Sequence, residues 1–188
     1  MNNYLEKEFK VLDVSLEKLA IAFKKIGAKK VFDGQRLFTT FDYPALRLNR
    51  KGQDVRLTEE AKLKLSFSSR INPKAKEVIK LFVSRKKETV DFLDRLGLVP
   101  IAECQSHRTS WEWKGIDFDL DQFPQIPPFL EIDVNDSNLS FKQVLKLLGL
   151  ESHEVATLGT KEVYSKYGKD YLKLFKIKRR PIVTRCPT

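Results

Sequence analysis

Polar and apolar positions alternate near both ends of the chain. In a strand reading, Glu6, Glu8 and Lys10 fall on one face and Leu5, Lys7, Phe9 and Val11 on the other. The alternation returns after Pro127-Pro128, where Glu131, Asp133 and Asn135 oppose Leu130, Ile132 and Val134. Helical spacing interrupts this pattern. Ser15 can cap a helix carrying Leu16, Leu19, Ala20, Phe23 and Ile26, with Gly27 as its stop. Ser84 opens a similar segment with Val90, Leu93 and Leu96 before Gly97, and a third amphipathic helix follows later.

The Ser-to-Gly spacings nearly match, and each helix precedes several strand-like runs, so the pattern predicts a weak internal duplication. Strands are expected at Gln35 to Phe41, Leu46 to Arg50, Ala61 to Phe67 and Glu77 to Val83 after the first helix. After the second they are expected at Leu98 to Cys104, Arg108 to Lys114, Ile116 to Asp121 and Phe129 to Val134. Lys51-Gly52-Gln53-Asp54 reads as a hairpin tip. The resulting fold class is α+β, a closed antiparallel barrel of about eight strands with helices packed outside.

Each strand has one wet face. Arg47 and Asn49 oppose Leu46 and Leu48; Lys62, Lys64, Ser66 and Ser68 oppose Leu63, Leu65 and Phe67; Arg108, Ser110, Glu112 and Lys114 oppose Thr109, Trp111 and Trp113. Asp117, Asp119 and Asp121 alternate with Ile116, Phe118 and Leu120. Closure with helices outside puts the apolar faces under the helices and the ionic faces in the lumen. Trp111 and Trp113 then lie beneath a helix, and Tyr164, Tyr167 and Tyr171 read as packing residues.

Composition sharpens this picture. The 188 residues fit one compact domain, with 41% hydrophobic content for a core. The division expected is a domain over 1–170 and a basic tail over 171–188 with Lys173, Lys176, Lys178, Arg179, Arg180 and Arg185. Thirty-five Lys and Arg against twenty-five Asp and Glu give +10, which favours anionic partners. No run reaches membrane-span length and the first residues lack an apolar signal core, so the reading is cytoplasmic, with no membrane partner. Cys104 and Cys186 give no disulfide framework, His107 and His153 no metal-ligand spacing, and no glycine-rich phosphate loop or Ser-His-Asp order is present. A lumen of acids and cations calls for divalent ions and a polyanion, since unpaired buried charges cost several kcal/mol. Carboxylates suit Mg²⁺ or Mn²⁺, and Lys and Arg suit phosphate oxygens, so a triphosphate with its metals satisfies both.

At these residues the chain resembles the CYTH superfamily, the triphosphate tunnel metalloenzymes, which include class IV adenylyl cyclases, thiamine triphosphatases and inorganic triphosphatases. The resemblance rests on Glu6-x-Glu8-x-Lys10 and on three later segments in order: His107-Arg108-Thr109-Ser110-Trp111, Ile116 to Asp121, and Ile126 to Asp133. It runs from about Tyr4 to Gly168 and looks like the bacterial branch, with Gly159 to Gly168 as that branch's closing helix.

The resemblance implies that Glu6, Glu8, Asp121, Glu131 and Asp133 bind divalent metal. Lys10, Arg47 and Arg108 would grip phosphates, with Lys62 and Lys64 as further substrate contacts, and Lys161 would help position or activate the attacking water. Departures from the pattern are Asn49, Ser68 and Ser106 where cations are usual, and Asp133 where Glu is usual. The activity implied is metal-dependent hydrolysis of a small-molecule triphosphate (inorganic, nucleoside or thiamine). Alternatives are a class IV adenylyl cyclase, which makes cyclic AMP and pyrophosphate from ATP, and a non-catalytic polyphosphate, nucleotide or RNA binder. Nucleic acid is the less favoured partner, and a homodimer is the default for such a barrel.

Overall fold

A computed structural model of the chain describes residues 8–72, 75–134, 137–157 and 159–177. In chain order the elements are β1 (Glu8–Val11), α1 (Leu16–Ile26), β2 (Lys29–Asp42), α2 (Arg47–Arg50), β3 (Gln53–Glu59), β4 (Leu63–Asn72), β5 (Ala75–Phe82), α3 (Lys86–Arg95), β6 (Val99–Trp113), β7 (Ile116–Gln122), β8 (Phe129–Asp133), α4 (Phe141–Leu148), β9 (Val155–Ala156), α5 (Thr160–Lys166) and α6 (Tyr171–Leu174). The Ser-to-Gly spacing locates the first helix well. The Ser15 side chain accepts the Lys18 amide, and Gly27 closes α1 in the left-handed region at φ 75°. In α3 the cap is Arg85, one residue later than the sequence predicts, and Gly97 turns away at φ 80°.

All nine strands join one antiparallel sheet in the order β5-β4-β3-β2-β6-β7-β8-β1-β9. The order is mirrored about the central β2–β6 pair: β3 and β4 step outward on one side as β7 and β8 do on the other. That matches the duplicated spacing in the sequence. The sheet is strongly curled into a half-barrel. It is not the closed barrel expected, because β5 and β9 are its two ends and no β5–β9 pairing occurs among the described residues. Helix α5 spans the opening instead, where Lys161 bonds Asp54 of β3 and Glu162 bonds Arg70 of β4.

Further expectations are corrected. Leu46 to Arg50 is not a strand. The Asp42 carboxylate, buried at the end of β2, accepts the amides of Tyr43 (2.6 Å), Leu48 (2.9 Å) and Asn49 (2.9 Å), and this winds 47–50 into the turn of α2. The true strand of this region is β3, whose first two residues the sequence reading places in a hairpin tip. The separate strands expected at Leu98 to Cys104 and Arg108 to Lys114 are one fifteen-residue strand, β6. The sequence reading gives no bounds for a helix at α4, although Ser140 and Gln143 form a reciprocal capping box before it.

Helices cover the convex face in two places. Against α1 and α4 pack Val11, Phe118, Leu130 and Ile132, with the Phe23 ring 4.5 Å from Trp111 and 4.9 Å from Phe118. Against α3 pack Phe41, Val55 and Leu57 with Leu93. Trp111 and Trp113 thus lie in helix-covered packing, as expected. The concave face is not wholly ionic. At one end Phe38, Cys104, Phe123 and Phe129 meet Tyr164 and Tyr171 in an aromatic plug. Tyr164 donates to the Pro124 carbonyl at 2.7 Å, which satisfies its buried hydroxyl. The first residues assigned to the basic tail belong to this plug: Tyr171 is buried, Glu103 N donates to Phe175 O, and Ile177 N donates to Ile101 O. Lys178, Arg179, Arg180, Arg185 and Cys186 lie outside the described residues. Among the described residues no helix is long and apolar enough to cross a membrane.

Candidate functional site

Beyond the plug, the concave face opens into a cavity of about 270 Å³. Its described lining includes Lys10, Arg36, Arg56, Lys64, Arg70, Lys80, Arg108 and Lys161, against the carboxylates Asp54, Glu131 and Glu162. Cations exceed acids, so the cavity favours an anionic occupant.

Strand register explains how these groups converge. Antiparallel partners point to the same face, and Ser106 stands opposite Arg36 while Arg56, Ser66 and Lys80 form one row across β3, β4 and β5. The serines leave room for the long side chains beside them. Phe38 lies under two guanidiniums, with Arg36 4.4 Å and Arg56 5.2 Å from the ring centroid, and so fixes both at the floor.

Arg108 organises the other wall. Its guanidinium is held by Asp119, Asp121 and Glu131, with Nε 2.6 Å from Asp121 and a terminal nitrogen 2.6 Å from Glu131. Lys10 Nζ approaches Glu131 at 2.7 Å, and Arg36 lies 3.6 Å from Asp121. Desolvation pulls the Arg108 pKa down, but Asp121, Glu131 and Asp119 outweigh it and hold the proton well above the usual arginine range. Burial lifts the Asp121 carboxyl despite the attraction of Arg108 and Arg36. Desolvation lowers Arg36, partly offset by Asp121.

The structure brings together Lys10, Lys64, Arg108, Asp121, Glu131 and Lys161 in or beside this cavity. It does not bring Arg47, which is turned outward on α2 with its guanidinium 4.9 Å from the Tyr43 ring; the winding of α2 carries it away. Lys62 is also exposed outside, its ammonium 5.5 Å from the Phe82 ring, because it precedes β4 rather than lying on its inner face. Asp133 follows Glu131 on the same face of β8, in register with Asp117 and with the backbone of Glu8. Glu6 lies outside the described residues, as does the Glu8 side chain. His107, between the inward-facing Ser106 and Arg108, falls on the other face of β6, 3.2 Å from Asp33.

Of the five acids that the resemblance assigns to metal, the side chains of Asp121, Glu131 and Asp133 are among those described. Among the described residues no three acidic, His or Cys side chains are placed to hold a metal ion, and both Glu131 oxygens are engaged by Lys10 and Arg108.

Sequence reasoning missed Arg36, Arg56, Arg70 and Lys80. The signal for Arg56 was there: Arg56 and Thr58 alternate with buried Val55 and Leu57. Lys80 was legible in the same way, alternating with Ile79 and Leu81.

No family model and no curated protein matches the chain. Solved structures do. A provisionally assigned adenylate cyclase from Vibrio parahaemolyticus aligns with TM-score 0.73 at 16% identity, over 87% of this chain and 99% of its own. A provisionally assigned adenylate cyclase from Bacillus halodurans aligns with TM-score 0.62 at 16% identity, over 86% and 98%. A Hippeastrum protein, provisionally an adenylyl cyclase and described as having a dominant triphosphatase activity, aligns with TM-score 0.59 at 15% identity, over 88% and 96%. At these identities the likeness establishes the fold alone, a curled antiparallel sheet with helices shared with these structures.

Proposed function

We propose that the cavity binds the triphosphate of a small molecule and that the chain hydrolyses it. The observation that carries this reading is the convergence of cations from β1 through β6 and from α5 on one concave cavity whose far end is sealed by aromatic rings. Arginines such as Arg36 and Arg56 hold planar donor forks toward phosphate oxygens, and lysines add point charges. Charge that builds on the leaving phosphate as its P–O bond breaks is stabilised by groups already in place, so little reorganisation accompanies reaction. Water attacking the terminal phosphorus releases orthophosphate and a ligand one phosphate shorter. The Hippeastrum neighbour's triphosphatase activity and the neighbours' cyclase assignments point to the same substrate class.

A non-catalytic polyphosphate binder is the second reading. It is favoured by the engagement of Asp121 and Glu131 with Arg108, which leaves these acids occupied by protein cations. The test is phosphate release from tripolyphosphate, ATP and thiamine triphosphate, with and without Mg²⁺ or Mn²⁺, with cyclic AMP read in the ATP reactions. Orthophosphate release that Arg36→Gln abolishes supports hydrolysis. Cyclic AMP with pyrophosphate identifies cyclisation, and tight tripolyphosphate binding without turnover identifies the binder.

A further inference from the structure

Two carboxylates reach across the mouth of the cavity. Glu162, in the first turn of α5, holds Arg70 of β4, and the neighbouring Lys161 donates to Asp54 of β3 at 2.6 Å. Gly159 makes room for this arrangement: a Cβ built there would stand 2.6 Å from a Glu162 carboxylate oxygen, while its φ is one any residue adopts. The Asp54 half of the clasp reaches the floor, with a carboxylate oxygen 3.3 Å from Arg56. The Glu162–Arg70 half lies farther out: along an extended strand Arg70 is four residues, about 13 Å, from Ser66, the cross-strand partner of Arg56. A short anion among Arg36, Arg56 and Arg108 therefore leaves the Glu162–Arg70 contact untouched. A longer one reaches Arg70 and must displace Glu162 from it.

We propose that Glu162 is a specificity-determining residue that gauges the length of a linear polyphosphate by competing for Arg70 at the mouth. The inference rests on the polyphosphate reading of the cavity. Its chemistry is an exchange of anions on fixed cations: Glu162 leaves Arg70, a phosphate oxygen replaces it, and no covalent bond changes. The competing carboxylate weakens long ligands selectively, because short ligands never contest Arg70.

The test is calorimetric titration of the full chain with pyrophosphate and tripolyphosphate at one salt concentration, for the wild type, Glu162→Gln and Gly159→Ala. Glu162 is partly exposed, so the isosteric change spares the core. In Glu162→Gln, tripolyphosphate is expected to bind about tenfold tighter while pyrophosphate stays within about twofold, the tenfold corresponding to one charge-assisted hydrogen bond no longer contested. Gly159→Ala, which pushes the carboxylate aside without removing its charge, should shift the ratio in the same direction. Equal tightening of both ligands, or a ratio unchanged in both variants, overturns the length gauge while leaving the polyphosphate reading standing. Failure of the wild type and both variants to bind tripolyphosphate overturns the polyphosphate reading and this inference together.

Discussion

Arg36 on β2 stands directly across the strand pair from Ser106 on β6. Ser106 occupies a position where the family resemblance leads one to expect a cation, and its small side chain leaves space for a guanidinium arriving from the neighbouring strand. Ser66 repeats the relationship, flanked by Arg56 on one side and Lys80 on the other. Ser106, which reads along the sequence as a loss of charge, thus has its charge supplied by Arg36 in the same cross-strand row.

That relocation predicts rescue. Arg36→Ser should weaken tripolyphosphate binding about tenfold or more through loss of a charge-assisted fork. Adding Ser106→Arg, which returns a guanidinium to the same row, should recover most of the loss. Titration of the two variants decides it; a double variant no better than the single one would show that the row does not act as one charged unit.

Arg108 should be a stability determinant as well as a ligand group. Its removal strands Asp121, which is 0% exposed, with Arg36 no closer than 3.6 Å. Arg108→Gln is expected to cost about 3–5 kcal/mol in urea unfolding, the range for breaking a buried ion pair from one side. Arg47→Gln, on the outward turn of α2, should stay within about 0.5 kcal/mol of the wild type. Similar midpoints for both variants would contradict the buried network.

The elements legible in the sequence were those whose signals are local. Ser15 and Gly27 mark α1 because a cap hydroxyl and a left-handed residue act within one turn of the helix. Inward-facing Lys10, Arg108 and Glu131 were legible because alternation across a strand is local too. Asp42 was not, since its carboxylate organises amides six and seven residues away and converts an expected strand into α2. The aromatic plug was hidden for a related reason. On β2 and β6 the inner face changes from ionic at Arg36 and Arg108 to apolar at Phe38 and Cys104, so polarity changes along the strand as well as across it. The Arg70–Glu162 contact joins residues 92 apart and has no local trace.

Glu60 gives the acid limb of stability a testable contribution. Burial raises its carboxyl, but the hydrogen bond and charge of Lys64, with Arg36 and Arg108 behind it, bring the net pKa below the usual glutamate value. A carboxyl whose folded pKa is lowered binds fewer protons folded than unfolded. Its stabilisation is therefore present above the unfolded value, about 4.3, and is lost as pH falls through the lower folded one. Glu60→Gln should show a smaller drop in urea midpoint between pH 7 and pH 3 than the wild type; an equal drop would remove Glu60 from the acid limb.

The plug should also govern thiol chemistry. Cys104 is 1% exposed among Phe38, Phe123 and Tyr164, and burial pushes its thiol up to about 11. The reactive thiolate is consequently scarce at pH 8, and a reagent reaches it when α5 and α6 part from the sheet. In a Cys186→Ser background, a disulfide reagent at pH 8 should label Cys104 only as fast as the plug opens, and in strong denaturant at once. Tyr171→Ala, which removes a buried ring packed edge-on against Tyr164 at 5.4 Å, should accelerate native-state labelling many-fold while leaving the denatured rate unchanged. Fast labelling of the unsubstituted plug would mean that the concave end is open to solvent, and the cavity would then have two mouths rather than one.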